Sequence, residues 1–109
     1  MKIELLYFDD CPNYEALLPR LHGLLAGAGV RDEIELRRIG SVDEAERERF
    51  LGSPTVRIDG RDVDRAATER RDYGLKCRLY RSSEGTSGVP TEDWILAAIE
   101  RARSTDPSN

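Results

Sequence analysis

The spacing of hydrophobic positions changes several times along the chain, and each change marks an element. Residues 2–8 (KIELLYF) carry apolar side chains on both faces, which predicts a strand buried inside a parallel sheet. The polar DDCPNY interrupts it. From there the apolar positions are Tyr14, Leu17, Leu18, Leu21, Leu24, Leu25 and Ala28, spaced three and four apart as on one face of a helix. Pro12 suits the first helical position, where its missing N–H costs nothing, and Gly29 suits the stop. Pro19 deletes one backbone hydrogen bond inside this helix. The stripe continues on both sides of it, so a kink is expected rather than two helices.

Residues 33–39 (EIELRRI) alternate, with Ile34 and Leu36 on one face of a half-buried strand. Ser41, with Glu44 three positions on, opens a short helix to about Phe50 as a capping box. In GSPTVRIDGRDV, Val56 and Ile58 alternate, Asp59-Gly60 signals a hairpin turn, and Val63 is expected to start the return strand. Residues 65–88 show no sustained period. LKCRLYR reads as a short strand with Cys77 and Leu79 on one face, and SSEGTSG as a loop. TEDWILAAIERAR is helical, with Ile95, Ala98, Ile99 and Ala102 on one face, acids in its first turn and arginines in its last. Trp94 is expected to pack this helix onto the sheet. The order strand, helix, strand, helix, hairpin, helix predicts an α/β fold. It would be a mixed four-stranded sheet with helices on both faces, one domain over 1–103, followed by a frayed polar tail at 104–109.

Composition narrows the class. The chain has 109 residues, 39% hydrophobic and 35% charged, which suits one soluble domain with a modest core. It lacks an apolar run long enough to span a membrane, and it enters a strand directly without the features of a secretory signal, which points to the cytoplasm. The net charge is −4, from 17 basic and 21 acidic residues that are well mixed. The arginine-rich RDVDRAATERRD is acid-rich too, so it reads as solvated surface rather than a basic stripe, and neither nucleic acid nor a membrane is an expected partner.

Candidate chemistry is sparse. Cys11, Cys77 and His22 are too few for a disulfide-built scaffold or a closed four-ligand zinc site, so neither a structural metal nor a bound cofactor is expected. Two cysteines in a cytoplasmic chain are reactive, metal-binding or inert. Cys11 stands where a strand ends and a helix begins. Unpaired N–H groups and the helix dipole there favour the thiolate, whereas Asp9 and Asp10 oppose it. Taken alone, Cys11 is equally a small buried hydrophobe. His22 is too far along the helix to serve as its base.

Three features coincide: Cys11 between the first strand and first helix, Pro19 eight positions later, and Ser53-Pro54-Thr55 just before the hairpin. With the element order, they resemble the thioredoxin superfamily over residues 1 to about 64 and again in the last helix, with an insertion at about 65–88. The chain is also similar to small bacterial thioredoxin-like proteins with one cysteine in the first motif and a GL-x-CR-x-Y segment, here Gly74, Leu75, Cys77, Arg78 and Tyr80. Some of those carry an alkylmercury-lyase label. The resemblance implies a reactive Cys11, a cis Ser53–Pro54 bond, and a substrate surface made by Pro12, Asn13, Tyr14, Ser53 and Pro54. The backbone beside Pro54 would then be free to pair with an extended substrate. The chain departs from the family's Cys-x-x-Cys, because Tyr14 stands in the second cysteine position. A disulfide within the chain must therefore use Cys77.

Cys77 is either a core position on a short strand or a resolving cysteine for Cys11. On a strand, Arg78 would point to the opposite face from it. Tyr14 either begins the apolar stripe or offers the sulfur a hydroxyl. The leading expectation is thiol–disulfide exchange or a redox relay through Cys11 and Cys77, with a partner protein's thiol or disulfide, or a small thiol, as partner. Two alternatives stand beside it. One is soft-metal (mercury or copper) binding or organomercurial processing by the two thiols, with Asp9 or Asp10 as proton donor. The other is a non-catalytic interaction domain.

Overall fold

A computed structural model describes residues 1–104. Positions 105–109, most of the expected tail, lie outside the described residues, and Ser104 still belongs to the last helix. The elements are β1 (Ile3–Tyr7), α1 (Asn13–Gly27), β2 (Ile34–Arg38), α2 (Val42–Arg47), β3 (Thr55–Ile58), β4 (Arg61–Asp62), a 3₁₀ turn (Arg65–Glu69), β5 (Tyr80–Ser82), β6 (Gly85–Ser87) and α3 (Glu92–Ser104). The fold is α/β, built on a mixed four-stranded sheet in the order β2-β1-β3-β4. β1 runs parallel to β2 and antiparallel to β3, and β3 pairs antiparallel with β4.

β1 is central because both of its faces are covered. Ile3 and Leu5 join Leu17, Leu21 and Leu25 of α1 and Ile95 and Ile99 of α3 in the larger core. Leu6 faces the other way, into a smaller core with Ile39, Ala45 and Phe50 under α2. Glu4 shares that second face and is buried, where Arg37 neutralises it at 2.9 Å. β2 is an edge strand. Its Ile34 reaches the larger core, but Leu36, expected to be buried beside it, is 49% exposed.

Local chemistry sets the element ends. α1 runs unbroken through Pro19. It closes where Gly29 takes φ 75° and the Val30 N–H donates to the Leu25 carbonyl at 2.9 Å, a Schellman turn. Ser41 caps α2 by accepting from the Glu44 N–H at 3.1 Å. The reciprocal Glu44 carboxylate takes the Gly40 N–H at 2.7 Å rather than that of Ser41. Asp59 and Gly60 both have positive φ (53° and 81°), as a tight two-residue hairpin turn needs. The return strand begins at Arg61, not Val63; Val63 is buried just past it, its N–H donating to the Val56 carbonyl at 3.1 Å.

Residues 65–88 differ most from expectation. The strand expected from Leu75 starts only at Tyr80, and SSEGTSG is not a loop but the turn and second arm of the β5–β6 hairpin. Trp94 packs edge-on against Tyr80 of β5, with ring centroids 6.2 Å apart. Among the described residues, no helix is long and apolar enough to cross a membrane.

Candidate functional site

The site is assembled around one backbone unit, Ser53. The Ser53–Pro54 peptide bond is cis. The Ser53 N–H donates to the Lys76 carbonyl at 2.8 Å, and the Ser53 carbonyl accepts from the Arg78 N–H at 2.9 Å. These two bonds make a one-residue parallel bridge between Ser53 and Cys77. The Ser53 carbonyl also accepts from Cys11 Sγ at 3.4 Å. Cys11 Sγ and the Arg78 N–H therefore meet at one carbonyl, with Cys77 opposite Ser53 in the bridge, although these residues come from widely separated parts of the chain.

This overturns one expectation. The backbone beside Pro54 is not free for an extended substrate, because the chain's own segment 74–79 occupies it. That strap is held at its start. The Gly74 N–H donates to the Phe50 carbonyl at 3.0 Å, and Leu75 packs on the smaller core. Gly52 makes the close approach possible: it has φ 127°, and a Cβ there would lie 2.8 Å from the Lys76 carbonyl oxygen.

Arg78 is the strap's anchor. Its side chain is fully buried. The guanidinium donates to Asp62 at 2.6 Å, Thr55 Oγ1 at 3.1 Å and Asp64 at 3.4 Å, and it lies 4.4 Å from the Tyr80 ring centroid. Burial works against its charge, but the carboxylates of Asp62 and Asp64 help outweigh it, and its pKa is raised. Burial also pushes the Tyr80 phenol up, so it stays a hydroxyl and donates to the Pro54 carbonyl. Sequence reasoning placed Arg78 opposite Cys77 but missed its burial. A partial signal was present: Arg78 and Tyr80 alternate with Cys77 and Leu79.

The two thiols are both free and differ in access: Cys11 is buried and Cys77 exposed. Cys77 is thus not a core position. Its thiol lies near that of Cys11, and this proximity, then partial desolvation, then the charge of Cys11 raise the Cys77 pKa. The sign gives a prediction. Iodoacetamide should alkylate Cys77 with an inflection above that of an ordinary thiol, roughly 8.5. Cys11→Ala, which removes the largest cause, should move the inflection down. An unchanged or higher inflection in the variant would show that the sulfurs are not paired.

The remaining expected site residues divide. Pro12 is exposed at the mouth of α1. Asn13 is half-buried, its amide against the Gly88 backbone. Tyr14 stacks on Tyr7 at 4.1 Å and packs on the larger core, so it begins the apolar stripe. Ser53 and Pro54 are buried. Asp9 is exposed and paired with Arg38 at 2.7 Å, and Asp10 and His22 are exposed. Among the described residues, no group of three or more His, Cys, Asp or Glu is placed to hold a metal ion. A scan against protein-family models and searches of curated proteins and of solved structures gave no match.

Proposed function

We propose that this chain is a thiol–disulfide exchange protein of thioredoxin-like topology whose redox pair is Cys11 and Cys77. The meeting of Cys11 and Cys77 at Ser53, one through its sulfur and the other through the backbone bridge, carries this reading. The parallel β1–α1–β2 crossover, the later antiparallel hairpin and the cis Ser53–Pro54 bond support the topology. The roles are the reverse of the sequence expectation. An incoming disulfide meets the exposed Cys77 first, and the buried Cys11 resolves it. Cys77 Sγ attacks one sulfur of the partner disulfide and one thiolate leaves. Cys11 Sγ then attacks Cys77 Sγ and the second thiolate leaves. Two electrons pass to the partner, and the two thiol protons end on the released thiolates. Such a pair, kept reduced until it meets a disulfide, suits the cytoplasm.

The test is oxidation by a small excess of disulfide, followed by intact-mass analysis. The wild type should lose the mass of two hydrogens and regain it with dithiothreitol. Cys11→Ser should stop at a mixed disulfide on Cys77, and Cys77→Ser should react slowly or not at all. Only mixed adducts in the wild type would overturn the reading. Uptake of one Hg(II) per chain that needs both cysteines, without any oxidised product, would replace exchange by soft-ion handling.

A further inference from the structure

We infer that the cleft beside Cys77 binds an anionic low-molecular-weight thiol or its disulfide, and so selects the small-molecule partner of the exchange reaction proposed above, on which this depends. The cleft is open, about 650 Å³, and Cys77 forms part of its wall. That size lies within the range of small-ligand sites. It is a surface of the strap and hairpin, separate from the positions where the family resemblance placed substrate.

The lining is unusually cationic for a chain of net charge −4: Arg70, Lys76 and Arg81 border it together with Cys77. Asp72 is shared between Arg70 at 2.7 Å and Lys76 at 2.8 Å. Two cations hold one carboxylate, which leaves a positive charge over. Both contacts hold the Asp72 carboxyl far below the usual carboxylate range, Arg70 contributing most, so it does not take up a proton near neutrality. Arg81 is exposed and, among the described residues, makes no ion pair with a carboxylate. Asp64 also borders the cleft, but it is turned to Arg78 with its side chain only 15% exposed. A ligand therefore meets free positive charge at the mouth. The exposed Leu79 and half-buried Trp94 supply an apolar wall. Carboxylates at the cations and an aliphatic body on that wall would bring a ligand sulfur to Cys77, the sulfur open to solvent.

The probes are the disulfide of glutathione (two net negative charges), bis(2-hydroxyethyl) disulfide (neutral) and cystamine (two positive charges). The rate of Cys11–Cys77 bond formation is read by rapid acid quench and mass analysis. At low ionic strength the anionic probe should be favoured over the cationic one by roughly tenfold or more, after each rate is divided by that probe's rate with free cysteine. The preference should shrink in about 0.5 M salt, because screening shortens to a few ångströms. Arg81→Glu should reverse the order of the charged probes. Equal normalised rates for all three, or a preference untouched by Arg81→Glu, would overturn the cleft while leaving the redox pair standing. If none of the probes closes the Cys11–Cys77 bond, the exchange reading fails, and the cleft with it.

Discussion

Arg78→Met is expected to destabilise the protein by about 3–5 kcal/mol, the usual cost of removing one partner from a buried ion pair. The substitution keeps much of the side-chain volume but leaves Asp62 and Asp64 facing an apolar group, with side chains only 13% and 15% exposed. It also removes the cation stacked on Tyr80. A domain of this size commonly has about 5–15 kcal/mol in total, so the loss should show as a large fall in the urea midpoint. Two companion variants isolate the cause. Arg78→Lys keeps the charge but not the forked contact to Asp62, and should recover part of the loss. Arg78→Met combined with Asp62→Asn and Asp64→Asn removes the unpaired charges and should recover more than either carboxylate change alone. A fall of less than about 1 kcal/mol for Arg78→Met would put it in the range of an exposed pair and show that the strap is held by other means.

Gly52→Ala is expected to cost about 3 kcal/mol, from backbone strain and overpacking that typically contribute about 1–3 kcal/mol each. The backbone there has φ 127°, outside the range alanine favours. The new Cβ would meet the Lys76 carbonyl at 2.8 Å and Arg78 Cβ at 3.0 Å, so the strap must move. Rotation of a side chain would not relieve the contact with the Lys76 carbonyl, so it is the strap's backbone that is displaced. Movement of the strap lifts Cys77 away from Cys11 and uncovers Cys11. The variant should therefore let iodoacetamide reach Cys11 under native conditions, where the wild type is modified at Cys77 alone. A variant that is destabilised but still shields Cys11 would mean that the clash is absorbed by Gly52's own loop. Full stability would show that the backbone approach is looser than 2.8 Å.

Much of the four-stranded sheet is legible in the sequence because its signals are local. The mostly apolar β1, the three-and-four spacing of α1 and α3, the Ser41 cap and the Asp59-Gly60 turn each need only a few neighbouring residues to be read. Leu36 shows the limit. Its alternation with Ile34 is real, but whether a strand face is covered depends on sheet order, and β2 lies at an edge. The strap shows the limit more sharply. A one-residue bridge between Ser53 and Cys77 has no periodicity, so no pattern announces it. Arg78 reads as surface because arginine usually is, and its burial depends on Thr55, Asp62 and Asp64, which the fold brings to it. Hence Cys11 is recognisable from its own junction, while its contact with Cys77 is visible only once the chain is folded.

The strap's distance along the chain has a consequence for biosynthesis. Cys11 leaves the ribosome early, whereas the segment that covers it is translated more than sixty positions later. At roughly 5–20 residues per second, that interval is several seconds. For most of it β1 and α1 can begin to pack before Ser53 is made, and throughout it Cys77 does not yet exist to shield the sulfur. The nascent chain thus carries an uncovered thiol at the tip of its first crossover, open to small disulfides or to a neighbouring nascent chain on the same message. Completion of the strap closes that window, and from then on the outward face of the pair belongs to Cys77.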